Sequence, residues 1–439
     1  MFDIREKPEM VERAFLIGAY FDRKDEAEAA SLLEELGELV RTLGIGIAES
    51  NLVFIRDQSK RYLTGSGKAL ELMERAKELD CDAVVFDNEL SPSQQRTWET
   101  EADVCVLDRE EVILDIFAMR ARTREAALQV QLARMRYSLP RLARMWTHLD
   151  RQGGGSGGGK GGAAAARGEG EKQIEVDRRL ARKRINMVEK ELNTVRTQRA
   201  TQRKERTREG LPHAAIVGYT NAGKSSLLNR LADSDILVED KLFATLDPTT
   251  RRIELPDGQS LLLTDTVGFV RNLPHRLIEA FKATLEEAVL ADFLVHVLDA
   301  SAENVGDFYQ TTLDVLSELG AGDKPMLLVF NKIDLLQSSE EGLLRLHELK
   351  GLYPEACFIS VHNGEGVEDF VLRINALNHD RVARLKLRIP QARQDLMALL
   401  HRDGKILEQD YEGNDILLTA MVPRAQLHHF EGFELEGAL

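Results

Sequence analysis

Cysteine is scarce in this chain. Cys81, Cys105 and Cys357 are three thiols in 439 residues, odd in number and far apart. That spacing excludes a disulfide framework or a cysteine metal site and points to reduced thiols among apolar neighbours. No run of 18 apolar residues occurs, which excludes a hydrophobic membrane-spanning helix. Residues 1–9 carry no apolar signal stretch, and there is no lipid-anchor motif or amphipathic membrane helix. The expectation is a cytoplasmic protein without stable membrane insertion. Positive charge is also in deficit. Lys and Arg number 58 against 73 Asp and Glu, a formal net of −15, which taken alone argues against a polyanionic partner.

The deficit is not uniform. Residues 120–209 hold 23 Lys and Arg against 10 Asp and Glu, a local net of +13, leaving −28 for the remainder. Phosphate binding responds to the local field, so this segment is a candidate RNA-facing element. The plainer alternative is basic side chains decorating exposed helices. The 43% hydrophobic and 30% charged content is that of a globular chain. Its length suits about three domains at roughly 150 residues each.

Four short apolar runs, at 14–17, 52–55, 83–86 and 104–107, alternate with segments at 25–43 and 67–79 rich in Glu, Lys, Leu and Ala. This alternation predicts a small parallel α/β domain over residues 1–110. From about 110 the pattern is continuously helical until Pro140, where an interruption is expected. Residues 153–162 contain eight glycines and cannot hold a fixed backbone cheaply. A second helix is expected over 173–207, with Ala181, Ile185, Val188, Leu192 and Val195 spaced as a seam too short to establish oligomerisation; a monomer is expected. Residues 111–209 therefore read as a basic helical hairpin with a glycine-rich tip, or else as a linker. Residues 210–380 form a nucleotide domain. The last stretch, 381–439, has apolar runs at 383–389 and 416–422 around a helix at 391–401, a small α+β module.

The chemistry concentrates at residues 218–225, Gly218-Tyr219-Thr220-Asn221-Ala222-Gly223-Lys224-Ser225, a phosphate-binding loop between a strand at 214–217 and a helix starting at Lys224. The glycines let successive N–H groups face phosphate, and the helix N-terminus adds positive charge. Lys224 is suited to bridging β- and γ-phosphate oxygens, and the Ser225 hydroxyl to binding Mg2+. After the strand 261–263 come Asp265-Thr266-Val267-Gly268, where Asp265 would reach Mg2+ through a water and the Gly268 N–H would meet the γ-phosphate. Between these lies Phe243-Ala244-Thr245-Leu246-Asp247; Thr245 is the candidate switch threonine for the metal, with Thr249 and Thr250 as rivals. Asn331-Lys332-Ile333-Asp334 follows the strand 326–330. The Asp334 carboxylate can accept from guanine N1–H and the 2-amino group, a donor pair that adenine lacks, while Lys332 packs over the base. Ser360-Val361-His362 stands where loop N–H groups meet guanine O6. These motifs imply an α/β P-loop domain binding GTP and GDP, with Lys224, Thr245 and Gly268 as catalytic candidates.

A glutamine is missing at one telling position. GTPases of the Ras type place it after the glycine of Asp-x-x-Gly to orient the attacking water, and here Phe269 stands there. Intrinsic hydrolysis is expected to be slow and to depend on a partner or on another device that organises the water. Asn221 is a candidate for holding K+ in place of an arginine finger; otherwise it only hydrogen-bonds the loop.

Several stretches outside the nucleotide motifs carry a resemblance. They are Asp87-Asn88-Glu89-Leu90-Ser91-Pro92-Ser93-Gln94-Gln95, Asp108-Arg109, residues 113–117, 120–125 and 139–142, and the segment 243–251 around Thr245. On these the chain resembles the HflX family of ribosome-associated GTPases, among the TrmE-Era-Obg-like translation-factor GTPases, over essentially its full length. One departure is Arg167-Gly168-Glu169-Gly170-Glu171, after a longer Gly/Ala tract, where the family usually has Arg-Gly-Pro-Gly-Glu. The resemblance implies binding to the large ribosomal subunit and its rRNA, and splitting or rescue of stalled or stress-inactivated ribosomes. Two other readings stand beside it: an ATP-dependent RNA-remodelling activity of the N-terminal domain, and a regulatory scaffold controlled by GTP. Thr64-Gly65-Ser66-Gly67-Lys68 is the phosphate-like cue for the former, but it lacks the loop spacing and reads better as a helix cap.

Overall fold

The computed structural model describes residues 11–142, 176–198, 211–232, 242–243, 245–274, 285–379 and 382–435. By contact the chain divides into two units. One comprises Met1–Thr194, Lys241–Phe243 and Arg271–Phe281; the other comprises Val195–Asp240, Ala244–Val270 and Lys282–Leu439.

In the first unit the four apolar runs become strands β1 (Arg13–Tyr20), β2 (Gly46–Phe54), β3 (Ala83–Phe86) and β4 (Cys105–Asp108). They form an all-parallel sheet ordered β2-β1-β3-β4. Residues 14–19 of β1 are all buried, as a strand covered on both faces must be. Helix α1 (Glu26–Thr42) turns Leu32, Leu33, Leu36, Leu39 and Val40 inward at helical spacing. Helix α2 (Ser66–Glu78) follows, and Trp98 of α3 (Pro92–Ala102) packs edge-on against Phe86 and donates its indole N–H to the Tyr62 carbonyl at 2.9 Å. Helix α3 opens with a capping box between Ser91 and Gln94 and has Pro92 in its first turn, where its missing N–H costs nothing.

The expected continuous helix after 110 is instead two. Helix α4 (Arg109–Arg120) is capped by Asp108, whose carboxylate accepts from the Glu111 N–H at 3.0 Å. Thr123 then caps α5 (Arg124–Leu142), its hydroxyl accepting from the Ala126 N–H. Pro140, expected to interrupt, lies inside α5. Helix α5 carries on because Arg141, one residue beyond, is tied into a cluster. It donates to Asp108 at 3.0 Å, to Gln95 at 2.9 Å and to the Leu90 carbonyl at 3.2 Å. The Tyr137 hydroxyl donates to Asp108 at 3.0 Å. Three of the family-like stretches therefore meet at one polar centre. Helix α6, residues 176–198, buries Ile185, Val188 and Leu192 of the expected seam. The glycine-rich tip at 153–162 and both ends of the expected 173–207 helix lie outside the described residues.

A second ionic cluster is enclosed as well. Arg109, 3% exposed, donates to Asp87 at 2.7 Å, to Glu35, and to the Arg271 carbonyl at 3.1 Å. Arg271 in turn donates to Glu35 at 3.0 Å and to the Ser31 hydroxyl at 2.9 Å. Burial pushes the Asp87 carboxyl up, opposed by the Arg109 guanidinium. Phe243 belongs to the same unit and packs edge-on against Phe117.

The second unit holds a six-stranded sheet ordered β10-β9-β8-β5-β7-β6. Its strands are β5 (His213–Gly218), β6 (Thr249–Glu254), β7 (Ser260–Asp265), β8 (Phe293–Asp299), β9 (Met326–Asn331) and β10 (Cys357–Phe358). All pairings are parallel except β6 with β7. Helices α7 (Lys224–Ala232), α8 (Val305–Glu318), α9 (Ile333–Leu336), α10 (Glu340–Leu352) and α11 (Val367–His379) intervene. The C-terminal stretch forms an antiparallel sheet ordered β11-β13-β12, from β11 (Val382–Pro390), β12 (Lys405–Glu412) and β13 (Asp415–Pro423), with α12 (Gln394–Asp403) packed on it. Strand β12 escaped the sequence reading because Lys405-Ile406-Leu407-Glu408-Gln409-Asp410-Tyr411-Glu412 is a polar edge strand with little apolar signal.

Candidate nucleotide site

The loop 218–225 joins β5 to α7, so Lys224 and Ser225 open a helix and the N–H groups of its first turn are free of intrahelical partners. Gly223 has φ +94°, and a Cβ there would stand 2.2 Å from Asn331 Nδ2; glycine is what lets the loop approach that side chain. Asn331 donates to the Ala222 carbonyl at 2.9 Å and accepts from the Val361 N–H at 3.0 Å. One amide thus joins the phosphate loop to the Ser360-Val361-His362 turn.

The segment after β7 lies along this loop. The Thr220 N–H donates to the Phe269 carbonyl at 2.8 Å and the Phe269 N–H to the Gly218 carbonyl at 3.1 Å. Phe269 itself is fully enclosed. Gly268 sits against Thr220 and Lys224, and a Cβ on it would come within 2.9 Å of Lys224 Nζ. Thr266 is buried and bonds the Ile216 carbonyl at 2.7 Å, and Val267 is buried beside it.

Three residues from separate motifs converge at the loop's end. Ser225 Oγ donates to Asp265 Oδ2 at 2.6 Å and lies 2.8 Å from Thr245 Oγ1. Thr249 and Thr250, the rivals of Thr245, are carried off into β6, where Thr250 bonds Thr264 at 2.8 Å. Leu246 is buried and Asp247 half-buried. Phe243 takes φ +54° and belongs to the first unit; Ala244 lies outside the described residues. Asp265 Oδ1 is buried without a hydrogen-bond partner among the described residues. Two hydroxyls and a carboxylate with one oxygen to spare are oxygen donors of the kind a hard divalent cation takes, so this set fits Mg2+. Among the described residues no cluster of three His, Cys, Asp or Glu side chains offers a rival metal site.

Lys224 is buried, and its ammonium donates to the Tyr219 carbonyl at 2.7 Å. Burial pulls its pKa down to about 8, opposed by the Asp265 carboxylate, while burial pushes Asp265 up. His296 on β8 is held neutral, brought down to about 3 by burial and then by the charge of Lys224. The Tyr219 ring is stacked on Phe308 of α8 at 3.9 Å. Asn221 is exposed in the left-handed region at φ +60°.

At the base end, Lys332 ion-pairs with Asp299 at 2.7 Å. The sequence reading did not name Asp299, although its place at the end of β8, beside Asn331 in register, was the available signal. Ile333 is buried, and Asp334 Oδ1 is buried with no partner among the described residues. Ser360 is enclosed, Val361 half-buried and His362 exposed. Thr64–Lys68, by contrast, only starts α2: Gly65 and Gly67 face open space, and Lys68 pairs with Glu71 at 2.6 Å.

Family models described as GTP-binding GTPase N-terminal, GTP-binding GTPase Middle Region and 50S ribosome-binding GTPase match residues 30–118, 120–206 and 213–332. The GTPase HflX of Akkermansia muciniphila is 58% identical over 433 residues, covering 99% of both chains. This chain belongs to the HflX family of GTPases. The GTPase HflX of Escherichia coli is 41% identical over 379 residues, 86% of each chain. A GTP-binding protein from Sulfolobus solfataricus solved with GDP is 23% identical, with 84% of this chain and 99% of that one covered and a TM-score of 0.41. As an HflX-family member the chain is a GTP-hydrolysing enzyme with an α/β P-loop domain. No helix among the described residues is long and apolar enough to cross a membrane.

Proposed function

We propose that this HflX-family GTPase binds the large ribosomal subunit in the cytoplasm, as a monomer, and splits or rescues stalled or stress-inactivated ribosomes. Hydrolysis of GTP to GDP and phosphate would be stimulated by the ribosome. The observation that carries this reading is Phe269. An enclosed phenyl ring occupies the position from which an amide would orient water, and its backbone is bonded to the phosphate loop on both sides. A side chain so held has no polar atom to align a nucleophile, so the water must be aligned by another group, a part we assign to the ribosome. Support for the partner comes from the 50S ribosome-binding GTPase match over residues 213–332. It comes also from α6, where Arg178, Arg179, Arg182, Lys183, Arg184 and Lys190 are exposed in a segment of local net +13, suited to an RNA backbone.

In this reading Asp334 and Lys332 hold guanine, and residues 218–225 hold the phosphates. Lys224 places its charge on the β- and γ-oxygens, and the Gly268 N–H faces the γ-phosphate as its negative charge redistributes toward the leaving oxygen. Ser225 and Thr245 would ligate Mg2+, with Asp265 behind them. A bound metal would supply neutralisation of the charge on the phosphates. Asn221, exposed at the loop's rim, would hold K+. The deciding experiment is GTP turnover by the purified chain with and without large subunits, in potassium and in sodium. Turnover should rise by orders of magnitude with subunits; an unchanged rate removes the ribosomal proposal, and equal rates in the two salts remove the role of Asn221. No structural observation favours the ATP-dependent reading, since Thr64–Lys68 is a plain helix start.

A further inference from the structure

Helix α7 begins with the phosphate-loop residues Lys224 and Ser225, and six residues on, roughly 9 Å along the axis, it presents Arg230. Arg230 Nη1 donates to the Val361 carbonyl at 2.8 Å and reaches the His362 carbonyl at 3.5 Å. Its guanidinium packs against Gly364, where φ is +93° and an added Cβ would lie 2.2 Å from Nη2 and 3.1 Å from Cζ. Only a residue without a side chain permits that approach. The end of α7 opposite the phosphate site thus clasps the loop assigned above to guanine.

We propose that Arg230 is a positioning residue for guanine recognition, holding the Val361–His362 peptide so that its N–H is presented to the 6-oxygen of the base. The inference rests on the guanine reading given under the proposed function. In a trans peptide the C=O and N–H point in opposite directions. With the Val361 oxygen held toward α7, the His362 N–H must face away from that helix.

The rest of the loop leaves no substitute donor. The Ser360 N–H is bonded to the Glu365 carbonyl, and the Val361 N–H to Asn331 Oδ1. The Asn363 N–H is bonded to Ser360 Oγ, the Gly364 N–H to the Ser360 carbonyl, and the Glu365 N–H to Asn363 Oδ1. From Ser360 to Glu365, among the described residues, the N–H of His362 alone has no acceptor in the protein. A donor there accepts guanine, whose 6-position carries a carbonyl oxygen, and rejects adenine, whose 6-position carries an amino group. Because Arg230 and Lys224 share one short helix, the separation between phosphate loop and base loop is fixed by helix geometry.

The test uses the full chain and equilibrium binding of GDP, IDP and 2-aminopurine riboside diphosphate to the wild type, Arg230→Ala and Arg230→Lys. IDP keeps the 6-oxygen and the 2-aminopurine nucleotide lacks it. Losing the guanidinium should raise the Kd for GDP and IDP roughly tenfold, as expected for one or two charge-assisted hydrogen bonds at an exposed site. The affinity for 2-aminopurine riboside diphosphate should not move, and lysine should restore part of the loss. In turnover the loss should fall on KM and not on kcat. A Kd for GDP within about twofold of wild type overturns the proposal, as does an equal loss for the nucleotide lacking the 6-oxygen. The underlying reading is separated by Asp334→Asn, which should transfer preference from GDP to XDP. No transfer removes the guanine assignment and this inference with it. Transfer with XDP binding indifferent to Arg230→Ala removes the inference alone.

Discussion

The first unit encloses Glu35, Arg109, Asp87 and Arg271 and bonds them to one another, whereas the second encloses Thr220 Oγ1, Asp265 Oδ1 and Asp334 Oδ1 with no partner among the described residues. Burying a polar group without a partner is unfavourable, typically by about 1–3 kcal/mol. Buried atoms without a partner also occur elsewhere, at Gln129 Oε1, His296 and Asn378 Oδ1, but Thr220 Oγ1, Asp265 Oδ1 and Asp334 Oδ1 lie at the strand ends where α/β sheets bind ligands. Mutual pairing suits a structural role; unpartnered oxygens grouped around a glycine-rich loop suit the ligand site proposed above. The same chemistry therefore has opposite meanings in the two units.

The largest expected effect breaks the paired side. Glu35→Ala removes the carboxylate that two buried guanidinium groups share and should destabilise the chain by roughly 3–5 kcal/mol. Chemical denaturation followed by circular dichroism measures it, and a loss under about 1 kcal/mol would mean the cluster is not the anchor described. Next, Asp334→Asn should lower GDP affinity by about a hundredfold while leaving the unfolding midpoint in place, because its Oδ1 has no protein partner to lose.

The third prediction concerns proton uptake. Lys224 has a pKa of about 8 in the free fold, below the usual lysine value, and phosphate oxygens must raise it. Nucleotide binding above pH 8 therefore takes up a proton, and affinity falls as pH rises through that window, by at most about tenfold per unit. Calorimetry at pH 8.5 in two buffers of different ionisation enthalpy detects the proton; no buffer dependence would contradict the assignment. The smallest effect sharpens the orphan side. Thr220→Val removes an unpartnered buried hydroxyl and keeps the shape, so stability should stay within about 1 kcal/mol and move upward. A clear loss in the same unfolding assay would show that the hydroxyl is bonded after all.

The nucleotide motifs were legible because each is local: a strand, a turn of fixed length and a helix start, with the donors supplied by consecutive backbone groups. Asp334, Ser225 and Asp265 could be named from spacing alone. What sequence could not supply was non-local. Nothing adjacent to Arg271 signals Glu35, which lies 236 residues away. Nor does Asp299 lie near Lys332 in sequence; register between β8 and β9 brings them together. Choosing Thr245 over Thr249 and Thr250 depended on where β6 begins, a boundary that Thr-Thr-Arg-Arg does not announce. Pro140 misled for the same reason. The rule against proline inside helices is local, and the Arg141 contacts that carry the helix past it reach back to residues 90–108.

The bond from the Lys224 ammonium to the Tyr219 carbonyl makes the phosphate loop a clasp fastened to itself. A triphosphate must first unfasten that clasp, exchanging a neutral oxygen for charged ones. On the proposed reading, the loop is kept in shape between turnovers by the same side chain that would grip the substrate, which favours ready capture over a slow search for the right backbone.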